Sequence, residues 1–262
     1  MTTSNTSSNI SSKAQKEIIK IVPLYTPEIT RASMSAPQLV YNNGPLLTAV
    51  QVVLVFWGSA WQQSPLSDTA QSMSDFFDAM LTSSLIDQLA EYNTPQQQIG
   101  HGSRIGNYTI TSPDPGTSVA DSAIQQIISD ELANNNTFPQ PTANTLYFVL
   151  LPTGTAVQQG GSSSGQTFCG YHDSFSDQSG QIYYAVIPQP DCSGCAASLA
   201  TLDALTEISS HELCEAITDP IPGQGWYDQN NGEIGDICAW QTKQIGTYTV
   251  QKEWSNKANA CV

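Results

Sequence analysis

The chain has 262 residues, of which 39% are hydrophobic and only 12% are charged. This length and this hydrophobic share are sufficient for a buried core and exclude an intrinsically disordered protein. The formal charge of −15 argues against nucleic acid and anionic membranes as partners, because both are negatively charged. No run of residues is long and apolar enough to span a membrane.

The N-terminal residues differ in composition from the rest of the chain. Residues 1–36 are polar at first and are then interrupted by prolines, so we predict a flexible N-terminal arm or a pro-segment. Residues 37–262 are predicted to form a single α/β domain. The first 24 residues contain no apolar stretch typical of a secretory signal.

Strand and helix patterns alternate in the first half of this domain, where β-branched runs mark strands and apolar residues at helical spacing mark helices. In chain order they predict a buried strand at Val50–Trp57, a helix capped by Ser67 and Asp68, a short helix at Leu85–Leu89, a strand at Arg104–Ile110, a helix that begins near Thr117–Asp121 and a second buried strand at Thr145–Leu151.

The second half is richer in loops. Thr153–Gly165 is predicted to be a flexible Gly/Ser/Gln loop, and Gln181–Ile187 a strand near a sheet edge, because prolines follow it. A long helix is predicted from about residue 196 to residue 218, where Asp219-Pro220 ends it. Tyr248–Trp254 is the last predicted strand. The element order predicts an α/β fold with packed helices on a mixed twisted sheet.

All six cysteines fall in this half. An even count on a polar, acidic chain favours disulfides and an oxidising, extracellular setting. The alternative is a cytoplasmic protein with free thiols. Fifteen pairings exist, and Cys192 and Cys195 are close enough in sequence for a tight disulfide or for half of a zinc knuckle.

The segment Ser209–Pro220 places an imidazole and carboxylates at helical spacing. His211 and Glu215 are four residues apart and therefore share one helix face, with Glu212 beside them. This pattern resembles the zinc-peptidase helix H-E-x-x-H with its second histidine replaced by glutamate. We therefore predict a zincin-like active-site helix in which His211 and Glu215 bind zinc and Glu212 is the catalytic base.

The acidic cluster Gly232–Asp236 offers a third zinc ligand, either Glu233 or Asp236. We favour Asp236. Asp219 is expected either to orient a ligand or simply to cap the helix end. Tyr227 is expected to contact substrate as an oxyanion donor or only to pack its loop.

His172 lies in the short segment Cys169-Gly-Tyr-His172. Cysteine peptidases pair these two residue types, but we expect Cys169 to be in a disulfide. His172 is therefore predicted to be a structural or substrate-contacting residue.

Several blocks resemble the EXORDIUM / phosphate-induced protein 1 family of plants and its microbial relatives. They are distributed in order over residues 38–262: Tyr41–Thr48, Val52–Trp57, Phe168–His172, Cys192–Ala196, Ile217–Pro220, Cys238, and Trp254-Ser-Asn with Cys261. The resemblance implies an extracellular, growth-associated protein without an established enzymatic activity. The plant members lack the His-Glu pair and usually have Asn where this chain has Asp219. This departure is what predicts an enzyme here.

Taken together, the sequence predicts a monomeric zinc metallopeptidase acting on a peptide or protein substrate. The alternative is a non-catalytic extracellular EXORDIUM-like binding protein whose acidic cluster holds a structural ion such as calcium.

Overall fold

A computed structural model describes residue 18, residues 20–26 and residues 36–262. Its strands are β1 (Ile21–Pro23), β2 (Val40–Tyr41), β3 (Gln51–Trp57), β4 (Ser103–Ile110), β5 (Ser118–Ala120), β6 (Thr145–Leu150), β7 (Ala156–Gln159), β8 (Ser162–Ser163), β9 (Phe168–Asp177), β10 (Gly180–Ile187), β11 (Trp226–Tyr227), β12 (Thr242–Ile245), β13 (Tyr248–Gln251), β14 (Trp254–Ser255) and β15 (Ala260–Cys261). Its helices are α1 (Leu66–Met80), α2 (Ser84–Leu89), α3 (Asp121–Asn134), α4 (Ser193–Ala196) and α5 (Thr201–Thr218), with 3₁₀ turns at Ser59–Gln62, Ala90–Tyr92 and Asp236–Cys238.

Six strands form the central sheet in the order β1-β9-β10-β6-β3-β4. The pairs from β10 to β4 are parallel, whereas β9 is antiparallel to both β10 and β1. The sheet is therefore mixed, and the predicted α/β fold is confirmed.

Successive side chains of the central strands point to opposite faces of the sheet, and each face is covered by an apolar core. In β3, Val52 and Leu54 face the core that α1 and α5 cover, whereas Val53 and Val55 face the core that α3 covers. Successive side chains of a strand point to opposite faces, so a strand between two helical layers must be apolar throughout. This explains why the β3 and β6 sequences read as continuous hydrophobic runs.

Some predicted boundaries are wrong. The helix with the H-E-x-x-E pattern begins at Thr201, not at residue 196, because Ala197 and Ser198 adopt positive φ values of 46° and 67°, which end the short helix α4. The predicted loop Thr153–Gly165 contains β7 and β8. The predicted last strand is divided, and β15 follows it.

Two further expectations on the sheet need correction. β10 pairs on both sides and lies inside the sheet, because the prolines that follow its last residue limit its length and not its pairing. Residues 1–36 were predicted to be a flexible arm or a pro-segment, and within them Ile21–Pro23 is not free but forms the edge strand β1 on β9. The remaining residues of the predicted arm, apart from 18, 20, 24–26 and 36, lie outside the described part of the chain.

Two disulfides brace the second half. Cys169 of β9 is bonded to Cys195 of α4, and Cys238 is bonded to Cys261 of β15. The predicted bridging of Cys169 is confirmed, while a Cys192–Cys195 disulfide is excluded. Cys192 and Cys214 are free thiols.

Candidate metal centre

The face of α5 that points toward the 3₁₀ turn Asp236–Cys238 brings His211 and Glu215 together. The Nε2 atom of His211 lies 2.9 Å from Oε1 of Glu215, and both side chains are fully buried. Leu213, Ala216 and Ile217 pack α5 into the apolar core, which holds this polar row in place. The spacing of four residues therefore places both side chains on the same face of the helix, as helical geometry predicts.

The other ring nitrogen of His211 fixes its tautomer. Its Nδ1 is 3.0 Å from Oε1 of Gln251, which also accepts a hydrogen bond from the backbone N–H of Trp240. The amide nitrogen of Gln251 donates to the carbonyl of Gly235, so its oxygen must face His211. Nδ1 therefore carries hydrogen and donates it, which leaves Nε2 as the atom that faces the carboxylate.

Two electron-rich atoms this close require a proton or a metal cation between them. Burial alone would lower the pKa of His211, but the carboxylates of Glu215, Glu212 and Asp236 raise it well above its usual value. Without metal, a proton therefore occupies Nε2. A metal ion that binds here has to displace that proton, as is general for histidine ligands.

Asp236 completes the first group of potential ligands. One ligand atom each from His211, Glu215 and Asp236 lies within 4.8 Å of the others. The backbone N–H of Asp236 donates to Oε1 of Glu215 at 3.0 Å, and the N–H of Glu233 donates to Oδ2 of Asp236 at 3.0 Å. The structure thus groups Asp236, the favoured third ligand, with the two helix residues.

Two glycines make this approach sterically feasible. A Cβ atom on Gly235 would lie 2.9 Å from the ring of His211 and 3.0 Å from Oε1 of Glu215. At Gly232, whose φ is +90°, it would lie 2.2 Å from Oδ2 of Asp236. Both glycines of the Gly232–Asp236 cluster are therefore needed for close packing around the acids.

A second group lies on the other side of Glu215. His172 of β9 places Nδ1 3.0 Å from Oε2 of Glu212 and 3.5 Å from Oε2 of Glu215. Its Nε2 is 3.4 Å from Oε1 of Glu233 and 3.1 Å from the carbonyl oxygen of Asp219. One ligand atom each from His172, Glu212 and Glu215 likewise lies within 4.8 Å of the others. The Glu215 carboxylate is therefore shared by both groups.

The charge of His172 depends on these neighbours. Burial would lower its pKa, but the carboxylates of Glu233 and Glu212 raise it well above the usual histidine value. For Glu212 the effects are reversed: burial raises the pKa of its carboxyl group, and the hydrogen bond from His172 lowers it, with a net increase. In the metal-free protein, His172 therefore donates a hydrogen bond to Glu212 and holds that carboxylate in place.

The remaining predicted residues occupy different places. The carboxylate of Asp219 accepts hydrogen bonds from the backbone N–H groups of Gly223, Gln224 and Gly225, so this side chain shapes the loop after α5. Glu233 lies next to His172 and is not in the Asp236 group. Tyr227 is buried in β11 opposite Val40, and its contact with a substrate stays a prediction.

The centre buries an unusual amount of acid. Seven carboxylic side chains have 0% exposure: Glu207, Glu212, Glu215, Asp219, Glu233, Asp236 and Glu253. Within the described part of the chain, the ion pairs made by Lys or Arg involve Asp173 and Asp78 only. Carboxylates taken out of water need protons, imidazolium or metal cations as compensation. The centre is therefore suited to hold a cation.

Sequence reasoning missed several members of this centre. His172 was noted but assigned no contact with α5, since its strand β9 was not predicted. Gln251, Glu207 and Glu253 carry no motif, and only the tertiary structure brings them to the site. Glu207 does continue the row Glu207, His211, Glu215 at four-residue spacing, a pattern that the sequence contains.

No protein family model and no curated protein matches this chain. Across the residues that the structure describes, no helix is long and apolar enough to cross a membrane. The centre must therefore be interpreted from its own chemistry.

Proposed function

We propose that the chain is a zinc-dependent hydrolase that cleaves peptide bonds, with His211, Glu215 and Asp236 as the zinc ligands. One observation carries the proposal: Nε2 of His211 faces a carboxylate oxygen at 2.9 Å in a fully buried site, while Nδ1 is committed to Gln251. Imidazole nitrogen and carboxylate oxygen are ordinary zinc ligands. When bound, zinc would acidify a water molecule and polarise a substrate carbonyl.

Glu212 is the general base in this proposal. Its Oε2 is held by His172, and its Oε1 is buried without a hydrogen-bond partner. A carboxylate oxygen in this state can take a proton from water and pass it to the leaving amine. His172 is a positioning residue, because it fixes the Glu212 carboxylate and not the substrate.

The decisive experiment replaces the base and leaves the ligands in place. Glu212→Gln should reduce casein or peptide-library cleavage by roughly 10²–10⁴-fold while the protein keeps its stoichiometric zinc. Glu131→Gln, the same chemical change on α3, is the control and should leave cleavage unchanged. Cleavage that survives in Glu212→Gln would exclude this residue as the base.

The ligand set also implies a pH dependence. A second carboxylate in place of a second histidine puts more negative charge next to the ion, so the bound water should be less acidic. We therefore expect a pH–rate profile shifted toward alkaline pH relative to zinc peptidases with two histidine ligands. A profile centred below neutral pH would contradict this ligand set.

A non-catalytic EXORDIUM-like extracellular protein with a structural metal ion is the second candidate. The complete burial of all candidate ligands favours it, since a catalytic centre must admit substrate. The two disulfides are consistent with an oxidising compartment in either case. Elemental analysis separates the candidates: zinc that is lost in His211→Asn supports the hydrolase, whereas calcium that is retained in this variant supports the structural ion.

A further inference from the structure

The N-terminal segment lies across the edge of the sheet next to the candidate metal centre. β1 pairs antiparallel with β9, with Ile21 opposite Tyr171 and Val22 opposite Gly170. β9 is the strand that carries His172, two residues beyond Gly170. A Cβ atom on Gly170 would lie 3.4 Å from Oε1 of Glu212. The segment therefore passes the position on β9 where the proposed base approaches the strand.

Side chains and backbone of the segment are anchored on both sides of β1. Val22 is completely buried in the core under α5. The carbonyl of Pro23 accepts a hydrogen bond of 2.7 Å from the indole of Trp240, and the N–H of Tyr25 donates to the carbonyl of Gly194 at 2.8 Å. Lys20 forms an ion pair with Asp173 of β9.

These anchors belong to the elements that build the centre. Trp240 follows the 3₁₀ turn of Asp236 by two residues, and its backbone N–H donates to Gln251, the partner of His211. Ile18 lies against Gly223, where an added Cβ would be 2.9 Å from its Cδ1, and Gly223 belongs to the loop held by Asp219. The segment therefore contacts the strand, the turn and the loop around the site.

We propose that this edge of β9 is a binding cleft for an extended polypeptide, and that the chain's own N-terminal segment, of which residue 18 and residues 20–26 are described, occupies it. The proposal rests on the proposed function, for which it names the substrate as an extended peptide. Pairing with an exposed sheet edge supplies main-chain hydrogen bonds, and alternate side chains supply specificity. Val22 lies opposite Gly170, which has no side chain, so a bound peptide should prefer an apolar residue at this position. Asp173 pairs with Lys20, so the peptide should prefer a basic residue at the position of Lys20.

The same geometry leaves the edge of β9 beside Glu212 covered. A substrate can pair with β9 next to Glu212 only after the chain's own segment has left the edge, so β1 and the described residues beside it act as a self-blocking segment. Zinc bound at His211 should accordingly exchange slowly in the wild type and faster when the segment is loosened.

The test uses the full-length protein with Val22→Asp, which places a carboxylate in the buried position of β1. Val40→Asp, at a site with 56% exposure, is the matched control. We expect Val22→Asp to release zinc to an excess of chelator at least tenfold faster than the wild type. It should also bind a labelled synthetic peptide of residues 18–26 saturably, whereas the wild type and Val40→Asp should bind it weakly and a scrambled peptide should not bind.

Equal peptide binding by wild type and Val22→Asp, or no binding by either, would overturn the proposal. Trp240→Phe keeps the aromatic ring but removes the indole bond to Pro23, and serves if Val22→Asp does not fold. It should increase peptide binding and zinc release by a smaller factor, about threefold, and no increase in either would also overturn the proposal. Peptide binding is measured on metal-free protein, so it is independent of zinc and of cleavage, on which the proposed function depends.

Discussion

The two halves of this molecule are stabilised in different ways. The parallel strands β3, β4 and β6 with α1 and α3 contain no cysteine, and β3 and β6 bury apolar side chains on both faces. The half that carries β9 and α5 contains both disulfides and the buried carboxylates. Apolar burial stabilises the first half without further help. The second half buries charge, so it depends on cross-links and on a bound cation or proton.

The largest effect is expected from the apolar half. Phe148 of β6 is fully buried and packs edge-on against Phe77 at 4.7 Å between ring centroids. Phe148→Ala should lower the free energy of unfolding by roughly 3–5 kcal/mol. Urea denaturation should give the same loss with and without zinc. A loss that zinc reduces strongly would show that the two halves are not independent.

The pH response should come from the acidic half. Burial raises the pKa of Glu207 from its usual 4.5 to about 8, even though the positive charge on His211 acts to lower it. Between these values the unfolded chain has lost a proton that the folded protein retains, so the free energy of unfolding falls as pH rises. The slope from this group approaches about 1.4 kcal/mol per pH unit.

Urea denaturation of the metal-free protein between pH 5 and pH 8 measures this slope. Glu207→Gln should remove this contribution and flatten the curve, while Asp130→Asn on the exposed side of α3 should leave it unchanged. Identical pH dependence in Glu207→Gln and the wild type would mean that Glu207 is ionised in the folded protein.

The disulfide near Asp236 joins the cross-links of the second half to its cation site. Replacing Cys238 and Cys261 together by serine should cost about 3 kcal/mol of stability and should also weaken zinc binding, because Cys238 ends the 3₁₀ turn of Asp236. Calorimetric titration with zinc and urea denaturation give both numbers. A lower stability with unchanged zinc affinity would show that this disulfide does not help to position the zinc ligands.

The smallest effect concerns the residue that orients His211. Gln251→Ala removes the acceptor of the Nδ1 hydrogen bond and should weaken zinc binding by roughly 10–100-fold, with the ligands themselves intact. Gln244→Ala on the neighbouring strand β12, where the side chain contacts Thr249, is a suitable control. Zinc affinity that does not change in Gln251→Ala would argue against His211 as a ligand.

Local patterns predicted much of the fold and about half of the centre. The apolar runs of β3 and β6 and the spacing of His211 and Glu215 are local features, and each produces a local structure by itself. The partners His172 and Gln251 are distant in sequence and approach α5 only through strand pairing. The helix start was missed because left-handed residues at Ala197 and Ser198 leave no sequence signal as clear as glycine or proline.

The glycine at position 235 has a consequence for how this protein tolerates change. Because even a methyl group there would collide with the imidazole of His211 and with Glu215, a saturation library at this codon should return glycine alone among functional clones. Substitution at Gly154, where an added carbon meets nothing within 4 Å, would be limited only by its backbone angle. Relatives that keep this centre should accordingly retain Gly235 even where the surrounding loop has diverged.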